Sequence, residues 1–234
     1  MAFINININQ NAVANGFTYN PTTGVYTYKP QNVKGNWYGN IGLYDTFPLD
    51  NKNNFTLVNA IVYSYNHNVD FTGVTGQTES MLSKVNNHWL EDNLSLNYQK
   101  GGLTCSLVGE MKWRYAYSRR ENFSTIRTLD FNYGMLGSYK FKFGLETGMD
   151  LKMFSRRGYS DPLINANDLI CNVYISKSFL KGKLAAKLEG YDIFHQLKSI
   201  SYEINGQGKT ETRFNAIPNY LMLHLIYKMN ISGK

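Results

Sequence analysis

Alternation with a period of two runs through most of the chain. Between Leu103 and Ser118 one set of positions is Leu103, Cys105, Leu107, Gly109, Met111, Trp113, Tyr115 and Tyr117. The other is Thr104, Ser106, Val108, Glu110, Lys112, Arg114, Ala116 and Ser118. Successive side chains of a strand point to opposite sides of a sheet, so this segment reads as a strand with one apolar and one polar face. Leu129, Phe131, Tyr133 and Met135 alternate in the same way with Thr128, Asp130, Asn132 and Gly134. The pattern returns from Phe141 to Met153, in Ile4, Ile6 and Ile8 against Asn5, Asn7 and Asn9, and from Leu221 to Met229. It predicts about ten strands, near residues 2–9, 36–46, 55–66, 87–99, 103–118, 126–138, 141–155, 168–179, 184–195 and 217–229. In 55–66 two sets compete for the apolar face: Phe55, Leu57, Ile61 and Tyr63, or Val58, Ala60 and Val62. Gly190–Gln196 loses the alternation, as at a bulge.

The intervals between these segments alternate in length. Short ones fall near 47–54, 100–102, 139–140 and 180–183; long ones near 10–35, 67–86, 119–125, 156–167 and 197–216. Short turns at one end and long loops at the other are the habit of outer-membrane barrels. The expected fold is an all-β, antiparallel up-and-down transmembrane β-barrel of about ten strands, with the C-terminus at the short-turn end. A soluble β-sandwich or lipocalin-like barrel would show the same alternation with its apolar face inside. Three features favour the membrane. The polar face carries ladders of charge (Glu110, Lys112, Arg114, Asp130, Lys142, Glu146, Asp150, Lys152). Aromatics gather towards strand ends, with Tyr98, Tyr139, Phe141, Phe179 and Tyr227 at one end and Trp89, Trp113, Tyr115, Tyr117 and Phe154 at the other. Structureless loops of about 20 residues are uncommon in compact soluble domains.

Composition fits that picture. Charged residues make up 18% and aromatics 15%, with 18 tyrosines, which suits strands half in lipid better than a soluble core. The net charge of +7 is scattered without a basic block, which points away from nucleic acid and leaves an anionic membrane surface as partner. No segment supplies the ~18 apolar residues of a membrane helix, and Met1–Asn9 has no signal-peptide pattern. The expectation is a barrel segment whose targeting part lies elsewhere. Cys105 and Cys171 lack the spacing of a zinc site and sit at apolar strand positions; whether they pair is open.

No nucleophile–base constellation stands out, so neither an enzyme nor a metal or other cofactor is expected. His67 and His88 lie in or beside one long loop with Asp70, Glu79, Glu91 and Asp92 nearby, as in an omptin-like protease, but a solvated polar loop is the favoured reading. The sharper candidate is basic. Arg119 and Arg120 close one strand, Arg127 opens the next, and Arg156 and Arg157 close the third, so all five should meet on one rim. Guanidinium forks suit phosphate, which makes lipopolysaccharide or an anionic solute the candidate ligand and a merely wet rim the plain alternative. Phe17, Tyr19, Tyr26 and Tyr28 flank a hairpin turn at Thr22–Gly24, either a sugar-stacking surface or a simple β-extension.

The final stretch LEGYDIFHQLKSISYEINGQGKTETRFNAIPNYLMLHLIYKMN resembles the end of the TonB-dependent-receptor-like outer-membrane barrel family. SFLKGKL (178–184), MFSRRGYSDP (153–162) and LDFNYGMLGSY (129–139) resemble its preceding strands and turns, and NGFTYNPTTGVYTYKPQNVKGNW (15–37) one of its loops. The matches are local and span nearly the whole chain. The resemblance implies that 1–234 is one barrel domain, the C-terminal portion of a barrel of about 22 strands that takes up an unidentified solute. It further implies a signal peptide and plug outside this segment, TonB-type energy coupling, and a place in the Gram-negative outer membrane. A self-contained ten-stranded barrel acting as enzyme or adhesin is the alternative.

Overall fold

The computed structural model of the chain describes residues 1–73, 77–121, 123–160, 162, 164–197, 200–204, 209–214, 217 and 219–229. In chain order the strands are β1 (Ala2–Asn9), β2 (Ala12–Asn20), β3 (Val25–Val33), β4 (Asn36–Pro48), β5 (Phe55–Thr72), β6 (Met81–Lys100) and β7 (Leu103–Ser118). They continue as β8 (Ile126–Lys140), β9 (Leu145–Arg157), β10 (Asn167–Phe179), β11 (Leu184–Tyr191), β12 (Ile200–Ile204), β13 (Lys209–Arg213) and β14 (Tyr220–Tyr227). Ten of them form one antiparallel sheet in the order β1-β4-β5-β6-β7-β8-β9-β10-β11-β14. The other four form two separate hairpins, β2–β3 and β12–β13, inserted in the longest connections.

The sheet is open. β1 and β14 are its two edges and share no ladder. Each strand pairs with its neighbour in the meander, and the connections alternate as the sequence implies. β6 and β7 are joined by Gly101–Gly102 alone, while β9 and β10 are separated by residues 158–166.

Register sorts the faces. Leu107 pairs with Leu96 and Met135, Met111 with Asp92 and Phe131, and Met135 with Leu151. One side therefore carries the apolar set across the sheet, and Glu110, Lys112, Asp130, Glu146 and Asp150 fall on the other. The competition in β5 resolves through its neighbours. Leu57 faces Phe47 and Leu96, so Phe55, Leu57, Ile61 and Tyr63 belong to the apolar face and Val58, Ala60 and Val62 to the polar one.

Among the described residues, no second layer covers the apolar face. Leu107 is 53% exposed, Tyr133 55%, Ile41 51% and Leu225 69%. The one cluster of buried apolar residues among the described ones is small: Ala14 of β2, Val33 of β3 and Val69 of β5, where the first hairpin leans on the tall end of β5.

Several expectations need correction. β9 begins at Leu145, because Phe141–Gly144 forms the turn, with Gly144 at φ 80° and its N–H donating to the Phe141 carbonyl at 3.1 Å. Trp89 and Phe154 do not join the aromatics of the apolar face: they pair with Arg114 and Asn132 on the polar side. β5 and β6 run to Thr72 and back from Met81, well beyond the alternating part. Both cysteines are free. β11 stops at Tyr191, where Asp192 (φ 43°) turns the chain; its carboxylate accepts from Gln196 N–H at 3.1 Å and Leu197 N–H at 2.7 Å.

Candidate functional site

The polar face is cross-linked by side chains. Asn132 donates to Glu110 at 2.9 Å, Ser106 to Asn97 at 2.6 Å, and Lys112 lies 3.8 Å from Glu91. Tyr174 lies against Gly148, its partner on β9, where any Cβ would come within 2.2 Å of the ring. That seat lets its hydroxyl donate to Glu146 at 2.7 Å. Glu189 gathers Lys187, the Tyr191 hydroxyl at 2.8 Å and His224 Nε2 at 2.8 Å. Between these groups lies a groove of about 320 Å³, lined among others by Ser106, Asp150, Asn172 and Tyr174.

At the long-loop end, the chain at Gly158 and Tyr159 folds onto this same face. Gly158 (φ 81°) passes so close to β8 that a Cβ would meet the Arg127 carbonyl oxygen at 2.0 Å. Tyr159 is buried and its hydroxyl reaches both oxygens of Asp130 at 2.7 Å. Burial, and then the carboxylate it serves, push the phenol pKa well above its usual 10.0, so it stays a donor. Asn165 fastens the loop to itself, accepting from Tyr159 N–H at 2.9 Å and donating back to the Tyr159 carbonyl at 2.8 Å. Arg156 donates to the buried Asp168 at 2.9 Å.

The five rim arginines do lie at one end of the sheet, the long-loop end, but they do not form one patch. Arg156 faces the polar side, as its pairing with Asp130 requires. Arg127 and Arg157 face the apolar side. Arg127 pairs with Tyr115, and Arg157 with Leu129, the position two residues beyond Arg127. Arg119 is exposed just past β7, and the Arg120 guanidinium lies 5.5 Å from the Phe123 ring. Direct alternation of side chains splits neighbours such as 156 and 157 between faces.

A band of rings on the apolar side at this end was only partly expected. Trp113, Tyr115 and Tyr117 are joined by Trp37, Tyr63, Tyr65 and His88. His88 is the hub, 4.9 Å from the Tyr65 ring, 5.7 Å from Tyr115 and 6.0 Å from Tyr117, with its Nδ1 2.7 Å from the Tyr63 hydroxyl. His67 Nδ1 lies 2.7 Å from Asn86 Oδ1, which also accepts from Tyr65. The nearby acids are directed elsewhere: Glu91 to Lys112, Asp92 to Asn59 at 2.8 Å, and Asp70 to the Phe71 N–H. The histidines and acids thus do not converge, and no metal-binding group is found among the described residues. At the short-turn end, the tilted rings of Phe55 and Tyr98 lie 4.5 Å apart and Tyr139 meets Phe141 edge-on at 4.6 Å. In the first hairpin Phe17, Tyr19, Tyr26 and Tyr28 share one face, with Tyr19 and Tyr26 at 4.5 Å.

The geometry therefore defines a class: an amphipathic antiparallel sheet with a bare apolar face bordered by rings, and a hydrogen-bonded, charged face. Comparison with protein-family models, with characterised proteins and with solved structures found no match.

Proposed function

We propose that this sheet is one wall of an outer-membrane β-barrel, the C-terminal part of a TonB-dependent-receptor-like transporter that admits a solute. The observation that carries the reading is the apolar face itself. A soluble sheet buries such a face against a second layer, whereas here, among the described residues, its large aliphatic side chains stay exposed from Ile6 of β1 to Leu225 of β14, with rings towards both ends. Lipid is the solvent that suits an aliphatic band between aromatic belts. The cross-linked polar face then lines a wet interior, and Tyr159, turned onto it against Asp130, narrows that interior.

The two open edges favour a larger barrel over a ten-stranded one. Unpaired backbone groups in lipid cost several kcal/mol each, so β1 and β14 must meet further strands. The proposal is tested by fractionating host cells and locating the protein. It should sediment with the outer membrane and leave it only with detergent; recovery as a detergent-free soluble protein would reject the membrane reading. Cysteines at Ile6 and Leu223 then test the larger barrel. They should fail to cross-link in the membrane, and efficient disulfide formation between them would mean that ten strands close on themselves.

A further inference from the structure

Arg127 and Arg157 are placed where a lipid-facing surface has little use for charge. Both are exposed, both stand on the apolar side, and they are diagonal neighbours on adjacent strands. Each is laid over a ring of that face. The Arg127 guanidinium carbon is 5.3 Å from the Tyr115 centroid, and that of Arg157 is 5.7 Å from Phe131. Arg157 is further held in plane by donating to the Arg156 carbonyl at 2.7 Å and to Asn167 Oδ1 at 2.8 Å. The neighbouring positions on that face are Trp113, Leu129, Ser155 and Leu169, none of them a carboxylate; Asp130 and Asp168 project from the opposite face. Beyond β7, a groove of about 540 Å³ adds His67, Lys84, Arg119 and Arg120, against one acid, Glu121.

We infer that Arg127 and Arg157 bind the phosphate groups of a phosphorylated membrane lipid whose acyl chains lie along the apolar band below. This rests on the membrane reading above. The chemistry fits on three counts. Guanidinium forks take phosphate oxygens bidentately. Rings beneath the cations keep them extended across the surface and supply contact for an amphipathic headgroup. Directly below, Phe131, Tyr133 and Met153 continue the apolar face, which is what a headgroup with attached chains needs and a free anion does not.

The test uses the protein extracted from outer membranes in mild detergent and native mass spectrometry of the lipid it retains. The probes are the bisphosphorylated lipid anchor of lipopolysaccharide, its monophosphorylated form and its fully dephosphorylated form, with inorganic phosphate as competitor. The wild type should retain the bisphosphorylated lipid at least about tenfold better than the dephosphorylated one, a ratio that one charge-assisted contact can supply. Arg127→Ala with Arg157→Ala should erase that ratio, and Arg127→Lys with Arg157→Lys should keep part of it. Equal retention of all three lipids by the wild type would overturn the inference even if the alanine variant did not fold. So would displacement of the lipid by equimolar inorganic phosphate, which would mark a free-anion site. A protein that still fractionates with the outer membrane but shows no phosphate preference sinks this inference alone; one found outside the membrane sinks the reading beneath it.

Discussion

The same strands carry two faces that are stabilised in unrelated ways. On the polar face nearly every charged group has a directional partner, from Asn132–Glu110 to Tyr159–Asp130 and Glu189 with its three neighbours. On the apolar face Leu107, Tyr133 and Leu225 touch little of their own chain. The polar face is held by the protein's own geometry. The apolar face depends on its surroundings, since hydrophobic stabilisation requires something apolar to face. Polar groups inside the apolar face depend on one another: Asn59 and Asp92 stand on it and meet at 2.8 Å.

The strongest way to break the contrast is to exchange the faces' chemistry. Leu107→Arg should destabilise the protein by about 2–4 kcal/mol in a bilayer, the cost of a cation facing lipid near mid-membrane. Val108→Arg, one residue away on the wet side, should cost less than about 1 kcal/mol. Urea titration in liposomes reads both, and equal costs would mean that the faces do not see different solvents.

Next is the latch on the polar face. Tyr159→Phe removes the donor shared by both oxygens of Asp130 and should cost about 1–3 kcal/mol, the range for a hydrogen bond to a charged group. The readout is faster proteolysis between residues 158 and 166, with the remainder of the sheet unaffected. The raised phenol pKa has a consequence of definite sign. A donor that stays protonated contributes fully below the unfolded value of 10.0 and fades only as pH rises through the higher folded value. Wild-type loop protection should therefore persist past pH 10.

The polar pair on the apolar face gives a smaller and more pointed effect. Asn59→Leu alone should destabilise by about 1–2 kcal/mol by taking a donor from Asp92. Asn59→Leu with Asp92→Leu should recover that loss, because exchanging both partners for apolar groups can be nearly neutral. A double variant worse than the single one would show that the pair contacts something other than lipid.

The smallest effect lies in the turn after β4. Asp50 accepts from the Phe55 N–H at 2.8 Å and from Asn54 at 2.7 Å, and the backbone bond first, with the Asn54 amide, holds its carboxyl below the usual 3.8. A carboxylate with a lowered folded pKa stabilises above its unfolded value and stops doing so as pH falls through the folded one. Hydrogen-exchange protection of the Phe55 amide should be flat above pH 4 and drop only in stronger acid; a drop near neutrality would assign the turn to another group.

How much of this the residues reveal depends on where the two environments are sharpest. All ten sheet strands are legible because a strand with one apolar and one polar face must alternate, and Leu103–Ser118 does so over most of its length. Short alternating stretches escape notice among polar neighbours. Beyond Asn66, Val69 and Phe71 alternate with Asn68, Asp70 and Thr72, but they follow Asn66 and His67, so the length of β5 is hidden. β12 (ISYEI) alternates over only five residues and β13 (KTETR) is polar throughout, so both read as loop. The faces of Trp89 and Phe154 are a matter of parity relative to a neighbouring strand, which becomes definite only with register. The rim arginines were legible as an end of the sheet but not as two sides of it. His88 as the centre of a ring cluster was not legible, since its partners come from β5 and β7 and are distant in the chain.

The two ends of the sheet also differ in how much change they tolerate over generations. At Gly101–Gly102 two residues reverse the chain, and a side chain at Gly102 would fall 2.3 Å from the Lys140 carbonyl oxygen. At Gly24, the tip of the first hairpin, a side chain would meet nothing within 4 Å, so only the φ of 70° favours glycine there. Drift and inserted peptides should therefore collect at the tips of the long loops. The short turns should hold their length and their glycines in every descendant that still folds.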